Sequence, residues 1–157
     1  MIQRIQTLYL LFATVLIVVC MSSCIGYYVS DDDGRVGQLF NLLCKGYEDG
    51  HPVKIDTTFS LFVILLITST LTFLNIFLFK YRALQMRVCV FCMILLVGWY
   101  AAYTFFAWYL SEAFQSAVSF KVTVWASLPF VSLILLYLAF RGILKDEKLV
   151  RSLDRLR

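Results

Sequence analysis

Four long apolar runs, none of which contains a charged side chain, constrain this sequence more than any other feature. They cover residues 7–28, 59–79, 88–110 and 122–140. At ~1.5 Å per residue, a helix over each run reaches across a hydrocarbon core about 30 Å thick. Because lipid offers the backbone no hydrogen-bond partners, and because the runs are apolar on every side, helices are favoured over barrel strands. The sequence therefore predicts an all-α integral membrane protein, a four-helix transmembrane bundle.

Composition excludes an ordinary soluble domain. Hydrophobic residues make up 61% of the chain and charged residues only 15%, whereas about 25% of residues are charged in typical soluble domains. The four runs use most of the 157 residues, so no second unit large enough for an enzyme domain remains. We therefore expect a single membrane domain over residues 1–157.

The charged residues are divided unequally between the two sides of the predicted bundle. The N-terminal segment, the connector 80–87 and the tail 141–157 carry ten of the fourteen basic residues, whereas the loops 29–58 and 111–121 carry seven of the ten acids. The positive-inside rule places the basic side in the cytoplasm. We therefore expect a multi-pass protein of the bacterial inner membrane with both termini cytoplasmic. The net charge of +4 reflects this asymmetry and indicates no nucleic-acid partner.

Two segments outside the runs carry patterns of their own. The outer loop 29–58 has turn signals at Asp33-Gly34 and Asp49-Gly50 with apolar residues between them, which favours a small hairpin. In the tail 141–157, leucines recur at helical spacing while charged residues gather on the opposite side. This pattern predicts a cytoplasmic amphipathic helix that continues from the fourth span.

The second run contains three polar residues on one helical face. Thr68, Thr72 and Asn75 are spaced at i, i+4 and i+7, so each pair is separated by about one turn. Hydroxyl and amide groups inside a membrane bundle most often form hydrogen bonds with a neighbouring helix. We predict interhelical polar contacts at these positions, with a ligand-binding face as the alternative.

Five cysteines raise the question of redox chemistry. Cys20, Cys24 and Cys44 lie near the outer boundary, where a Cys24–Cys44 disulfide is geometrically feasible. Cys89 and Cys92 lie at the cytoplasmic end of the third run, where thiols stay reduced. The outer cysteines therefore leave a membrane thiol oxidoreductase open as an alternative function, beside a role in packing.

Metal and cofactor binding are not expected. The single histidine, His51, stands in the turn signature Asp49-Gly50-His51-Pro52 without a second histidine to join it. The acidic run 31–33 lacks the alternating ligand spacing of a calcium loop.

Aromatic residues gather toward the outer ends of the runs. Such residues form belts at membrane interfaces, and aromatic surfaces also hold flat apolar ligands. A small lipid or quinone carrier that uses this band and the Thr68, Thr72, Asn75 face is therefore a further alternative. The band comprises Tyr27, Tyr28, Trp99, Tyr100, Tyr103, Trp108, Tyr109 and Trp125.

Three stretches resemble a known family: the start MIQRIQTLYL (1–10), the connector FLFKYRALQMR (77–87) and the ending KDEKLVRSLDRLR (145–157). They are similar to uncharacterised four-span inner-membrane proteins of the Bacteroides and Flavobacterium group, which are grouped as a domain of unknown function. The resemblance implies four spans, a hairpin-like outer loop and no assigned activity. Because all three stretches lie on the cytoplasmic side or its boundary, it also directs attention to that side.

These observations favour a non-enzymatic accessory or scaffolding subunit of a larger membrane complex, in export, envelope biogenesis or respiration. Its expected partners are the lipid bilayer, other integral membrane proteins and a second copy of itself. The predicted partner-binding residues are Arg4, Lys80, Arg82, Arg87, Leu149, Arg151, Leu153, Asp154, Arg155 and Leu156.

Overall fold

The computed structural model of the chain describes residues 2–30, 34–48, 51–78, 81–113 and 118–154. Four helices and five strands account for nearly all of them. In chain order these are α1 (Ile2–Ser22), β1 (Cys24–Ser30), β2 (Gly34–Phe40), β3 (Cys44–Glu48), β4 (His51–Asp56), α2 (Phe59–Phe77), α3 (Arg82–Ala113), β5 (Val118–Val122) and α4 (Leu128–Asp154), with a 3-10 turn at Val124–Ser127 before α4.

The helices form a closed four-helix bundle. Each helix packs against the next one in the chain, and α1 also packs against α4. Because α1 leads into the sheet and α2 leaves it, successive helices run in opposite directions. The sheet lies at one end, called here the sheet end. The opposite end, where α1 begins and α4 finishes, is called the terminal end.

All four helices are long and apolar enough to cross a membrane. Their inner faces repeat at helical spacing, as in the fully buried Leu10, Ala13 and Ile17 of α1. Their outer faces are also apolar, and large side chains such as Phe73 and Ile94 are more than half exposed. Soluble monomers rarely expose apolar patches of such extent, so the outer surface of the bundle fits a lipid environment.

The fold is not all-α, because a five-stranded antiparallel sheet replaces the predicted hairpin. The strand order is β4-β3-β2-β1-β5. The loop between α1 and α2 supplies four strands, and β5 joins them from the connection between α3 and α4. The position of β1 between β2 and β5 provides backbone partners on both of its edges. This pairing gives a reason why its apolar residues extend as a strand instead of continuing α1.

The helix bounds differ from the apolar runs for the same reason. The first helix ends at Ser22, and residues 24–28, which belong to the first apolar run, lie in β1. The fourth helix begins at Leu128 after the 3-10 turn, and its backbone remains helical through residues 141–154 of the tail. The backbone of the tail therefore continues α4 without a break.

A buried asparagine anchors the sheet to the bundle. Asn41, just after β2, has no exposed surface. Its Nδ2 donates to the carbonyl of Cys20 at 2.7 Å, and its Oδ1 accepts from Nε1 of Trp99 at 3.3 Å. Close by, the hydroxyl of Thr58 donates to the carbonyl of Phe40 at 2.7 Å. Polar side chains therefore join α1, β2, α2 and α3 at one place.

Part of the aromatic band strengthens this joint instead of lying in a belt. Trp99 and Tyr28 are fully buried and Tyr103 is almost so. The hydroxyl of Tyr103 donates to the carbonyl of Ile25 at 3.0 Å, and that of Tyr28 to the carbonyl of Ala107 at 3.3 Å. Burial raises the pKa of Tyr28 above its ordinary value. Trp108, Tyr109 and Trp125 remain exposed.

Candidate functional site at the terminal end

A polar contact links the beginning of α1 to the last part of α4. Nε2 of Gln6, a nearly buried residue, donates to Oδ2 of Asp146 at 2.6 Å. A guanidinium nitrogen of Arg82, the first residue of α3, lies 3.5 Å from the carbonyl oxygen of Asp146. A hydrogen bond to a carboxylate is stronger than one between neutral groups. Asp146 therefore ties three helices together near the end of α4.

Gly142 allows α1 and α4 to approach at this point. A Cβ atom built on Gly142 would lie 3.1 Å from Cγ and 3.3 Å from Nε2 of Gln6. Any larger residue would therefore press on the amide that holds Asp146.

A second polar contact joins α2 to α3 at the same end. The side-chain amide of Asn75 donates to Sγ of Cys89 at 3.1 Å and to the carbonyl of Gln85 at 3.4 Å. The side-chain amide of Gln85 donates in turn to the backbone carbonyl of Asn75 at 3.2 Å. Both side chains are buried, so this reciprocal pairing fixes the turn between the two helices.

The three polar residues of α2 do not act alike. Asn75 reaches α3 as described, and the hydroxyl of Thr72 approaches Sγ of Cys92 at 3.7 Å while also donating to the carbonyl of Thr68 at 2.7 Å. The hydroxyl of Thr68 instead donates within its own helix, to the carbonyl of Ile64 at 2.7 Å. A threonine hydroxyl reaches the carbonyl one turn earlier without strain, which accounts for the departure from the predicted interhelical contact.

A groove opens between α3 and α4 near the terminal end. Its volume is about 740 Å³, which lies within the range of ligand sites, about 300–1,000 Å³. Seven of its nine lining residues are apolar, and the other two, Arg87 and Glu147, carry opposite charges. The apolar lining residues are Ala83, Met86, Val90, Phe91 and Ile94 of α3 with Phe140 and Leu144 of α4.

The predicted partner-binding residues are only partly described. Arg82 contacts Asp146, and the exposed Arg87 lines the groove. Arg4, Leu149, Arg151, Leu153 and Asp154 lie on helical backbone, but their side chains fall outside the described part. Lys80, Arg155 and Leu156 lie outside the described residues altogether.

The cysteines occupy packing positions for the most part. Cys20, Cys44, Cys89 and Cys92 are buried, Cys24 is half-buried, and all five are thiols. Sγ of Cys24 donates to the carbonyls of Gly26 and Leu39 at 3.3 and 3.4 Å. Within the described ranges, no three His, Cys, Asp or Glu side chains come together as metal ligands.

Sequence reasoning missed Gln6, Gln85 and Asp146 as contact residues. The position of Gln6 in the sequence does indicate a contact residue. It is an amide just before an apolar run, and it lies one turn from Leu10 on the inner face. No sequence feature marks Asp146 as a contact residue, because a carboxylate in a charged tail resembles any solvated residue.

We predict that Gln6→Leu loosens the last part of α4. Leucine has a side-chain volume similar to that of glutamine but no N–H donor. The substitution therefore leaves the Asp146 carboxylate without its amide donor. Amide hydrogen exchange in residues 143–150 should become about tenfold faster. Thr104→Val, which removes an exposed hydroxyl bonded only within α3, serves as the control. Equal exchange in both variants would show that Gln6 does not hold α4.

The fold and this site define a class: four helices suited to spanning a membrane, with a small sheet at one end and polar helix contacts at the other. Residues 2–156 match a protein family described as a domain of unknown function, DUF4293. Because the match covers nearly the whole chain, the protein belongs to this family. A comparison with curated proteins finds no match.

Proposed function

We propose that this protein is a four-span integral protein of the bacterial inner membrane that serves as a non-enzymatic accessory or scaffolding subunit of a larger membrane complex. The terminal end would face the cytoplasm, where ten of fourteen basic residues occur. The apolar outer faces of the four helices support the membrane location. Within this proposal the sheet would lie on the outer side.

The observation that supports the accessory role is the way α4 is held at Asp146, eight residues before its last residue. Its 27 residues extend ~40 Å, which exceeds a hydrocarbon core of about 30 Å. The contacts of Gln6 and Arg82 with Asp146 fix the direction of the extra length. Beyond Asp146 the sequence pattern gives the helix one leucine-rich side and one charged side. Such a helix suits docking in the groove of a partner.

Burial of the cysteines favours this proposal over thiol oxidoreductase chemistry. A reactive thiolate requires an accessible, electropositive setting, whereas Cys20 and Cys44 have no exposed surface. The packing of α2 likewise disfavours a quinone-binding site on the face formed by Thr68, Thr72 and Asn75, because all three side chains are buried. Replacing all five cysteines with serine should preserve whatever phenotype depends on the protein.

Charge reversal in the tail tests the proposed role. We expect Arg151→Glu with Arg155→Glu to release the protein from its copurifying membrane partner, lowering recovery at least tenfold, because like charges would replace opposite ones at the docking helix. The complex is isolated in mild detergent through a tag inserted between β3 and β4, and copurifying proteins are identified by mass spectrometry.

The matched control reverses the charge of two lysines at the sheet end. Lys45→Glu with Lys121→Glu alters the net charge by the same amount, and both side chains are exposed. This control should retain the partner. Unchanged recovery in the tail variant would contradict the accessory role, and so would a wild-type protein that purifies alone.

A further inference from the structure

We infer that the groove between α3 and α4 binds one phospholipid whose headgroup carries both a phosphate and a primary ammonium, as ethanolamine phospholipids do. The inference rests on the membrane location proposed above. It adds a ligand site to a protein whose proposed role requires none.

The apolar part of the groove fits within one leaflet. From Arg87 to Ile94 the lining on α3 advances ~10 Å along the helix, and half of a hydrocarbon core is about 15 Å. A groove of this length has room for the first two thirds of one acyl chain, with its polar end at the membrane surface.

The order of the lining residues gives the groove the same polarity as a lipid. Its charged residues, Arg87 and Glu147, lie toward the terminal end, where Ala83 and Met86 also line it, and Val90, Phe91 and Ile94 follow toward the middle of α3. These three side chains are 38%, 50% and 63% exposed. An acyl chain would cover this apolar surface, and the arginine side chain can extend toward a headgroup while its methylenes stay in the apolar region.

The two charged residues select the headgroup. The Arg87 guanidinium is a donor suited to phosphate, which it can bind in a bidentate manner. The Glu147 carboxylate has several acceptor sites, so it can accept from an ammonium in addition to the contact that it already makes within the chain. A glycerol headgroup would offer Glu147 a neutral hydroxyl instead of a cation, so nothing in the headgroup would offset the repulsion between the phosphate and this carboxylate. A choline headgroup would offer Glu147 no N–H donor.

A contact beyond the groove keeps its walls in place. Arg82 contacts the carbonyl of Asp146, the residue next to Glu147, and so connects α3 with α4 at the terminal end. The two helices that supply the charged groups are therefore held together where the headgroup would lie.

Native mass spectrometry of the protein from mild detergent tests this inference. The protein is incubated with an equimolar mixture of phosphatidylethanolamine, phosphatidylglycerol and phosphatidylcholine that share the same acyl chains. We expect one bound phosphatidylethanolamine, retained about tenfold more than phosphatidylcholine. Glu147→Gln should bring the two lipids to nearly equal retention. Arg87→Gln should lower retention of all three, because each of them carries the phosphate.

Two further variants separate the groove from its surroundings. Arg141→Gln removes an exposed cation on α4 that does not line the groove, and it should leave lipid retention unchanged. Ile94→Trp fills the apolar end and should reduce retention of phosphatidylethanolamine by about tenfold.

Specific results would overturn the inference. These are a preference for phosphatidylglycerol, equal retention of the three lipids by the wild type, or a dimer that excludes lipid from the groove. Membrane fractionation distinguishes failure of the lipid site from failure of the proposed function. A protein that remains in the membrane pellet after alkaline extraction but selects no lipid would refute only the lipid site, whereas a protein absent from that pellet would refute both.

Discussion

Replacing Asn41 with alanine should destabilise the protein by about 3 kcal/mol and loosen the sheet from the bundle. The variant loses the hydrogen bond to the carbonyl of Cys20 and leaves Nε1 of Trp99 without its acceptor. A buried donor without a partner costs ~1–3 kcal/mol in addition to the lost bond. The Cys20 carbonyl still accepts from the Ser23 amide at 3.2 Å, so most of the cost arises at Trp99.

Denaturant unfolding in micelles, monitored by circular dichroism, measures this loss, and hydrogen exchange shows where it occurs. Amides of β1 and β2 should exchange faster in Asn41→Ala, while those in the middle of α2 should change little. The neighbouring Leu42→Ala serves as the control, because Leu42 is exposed and its truncation should cost under ~0.5 kcal/mol.

A double-mutant cycle with Trp99→Phe isolates the Asn41–Trp99 hydrogen bond. Phenylalanine has no N–H, so the Asn41→Ala substitution should cost less in this background than in the wild type. We expect a coupling free energy of about 1 kcal/mol or more. Strictly additive effects would contradict the assignment of this bond as an anchor of the sheet.

The four helices could be predicted from sequence because their signal is local. Each uncharged run is longer than a strand and apolar on all sides, which leaves the helix as its way to satisfy the backbone in lipid. The second run shows this best, since residues 59–79 predict a helix that the structure places at Phe59–Phe77.

The sheet could not be predicted in the same way, because its pairing is distant in sequence. In β1, Tyr28 pairs with Phe120 of β5, which follows two further helices. The loop 111–121 was too short to suggest a strand, and residues 24–28 read as a continuation of the first apolar run. Only the partner on each side of β1 makes its extended form favourable.

The polar contacts at the terminal end likewise differ in how far apart their partners lie in the sequence. Asn75 stood out as an amide inside an apolar run, and its partners Gln85 and Cys89 follow it by only 10 and 14 residues, across the α2–α3 connection. Gln6 and Asp146 are 140 residues apart, and nothing in the local pattern joins them. The groove was not foreseeable, since it depends on how α3 and α4 lie beside each other.

Gly26 and Gly98 should respond in opposite ways to replacement by alanine. A Cβ atom on Gly26 in β1 would overlap Cζ of Phe120, far inside van der Waals contact. That ring packs against Tyr28 and Tyr103, at centroid distances of 4.9 and 6.0 Å. We expect Gly26→Ala to destabilise the protein by about 1–3 kcal/mol, because the ring must leave this cluster and weaken the pairing of β1 with β5.

Gly98 provides the matched control. It lies within α3, and a Cβ atom there would meet nothing within 4 Å. Gly98→Ala should therefore stabilise the helix by up to ~1 kcal/mol, the usual gain when alanine replaces glycine inside a helix. Measuring both variants in the same detergent by the same denaturant unfolding removes any general effect of added volume.

A smaller side chain at position 120 should rescue the strand variant. In the Gly26→Ala background, Phe120→Leu relieves the contact with the new methyl group, so its cost should be lower than in the wild type or reversed in sign. The sign of this coupling distinguishes close packing from a general intolerance of substitution in β1. If Gly26→Ala were as harmless as Gly98→Ala, the ring of Phe120 would be free to move, and the attachment of β5 would have to depend on its backbone pairing with β1 alone.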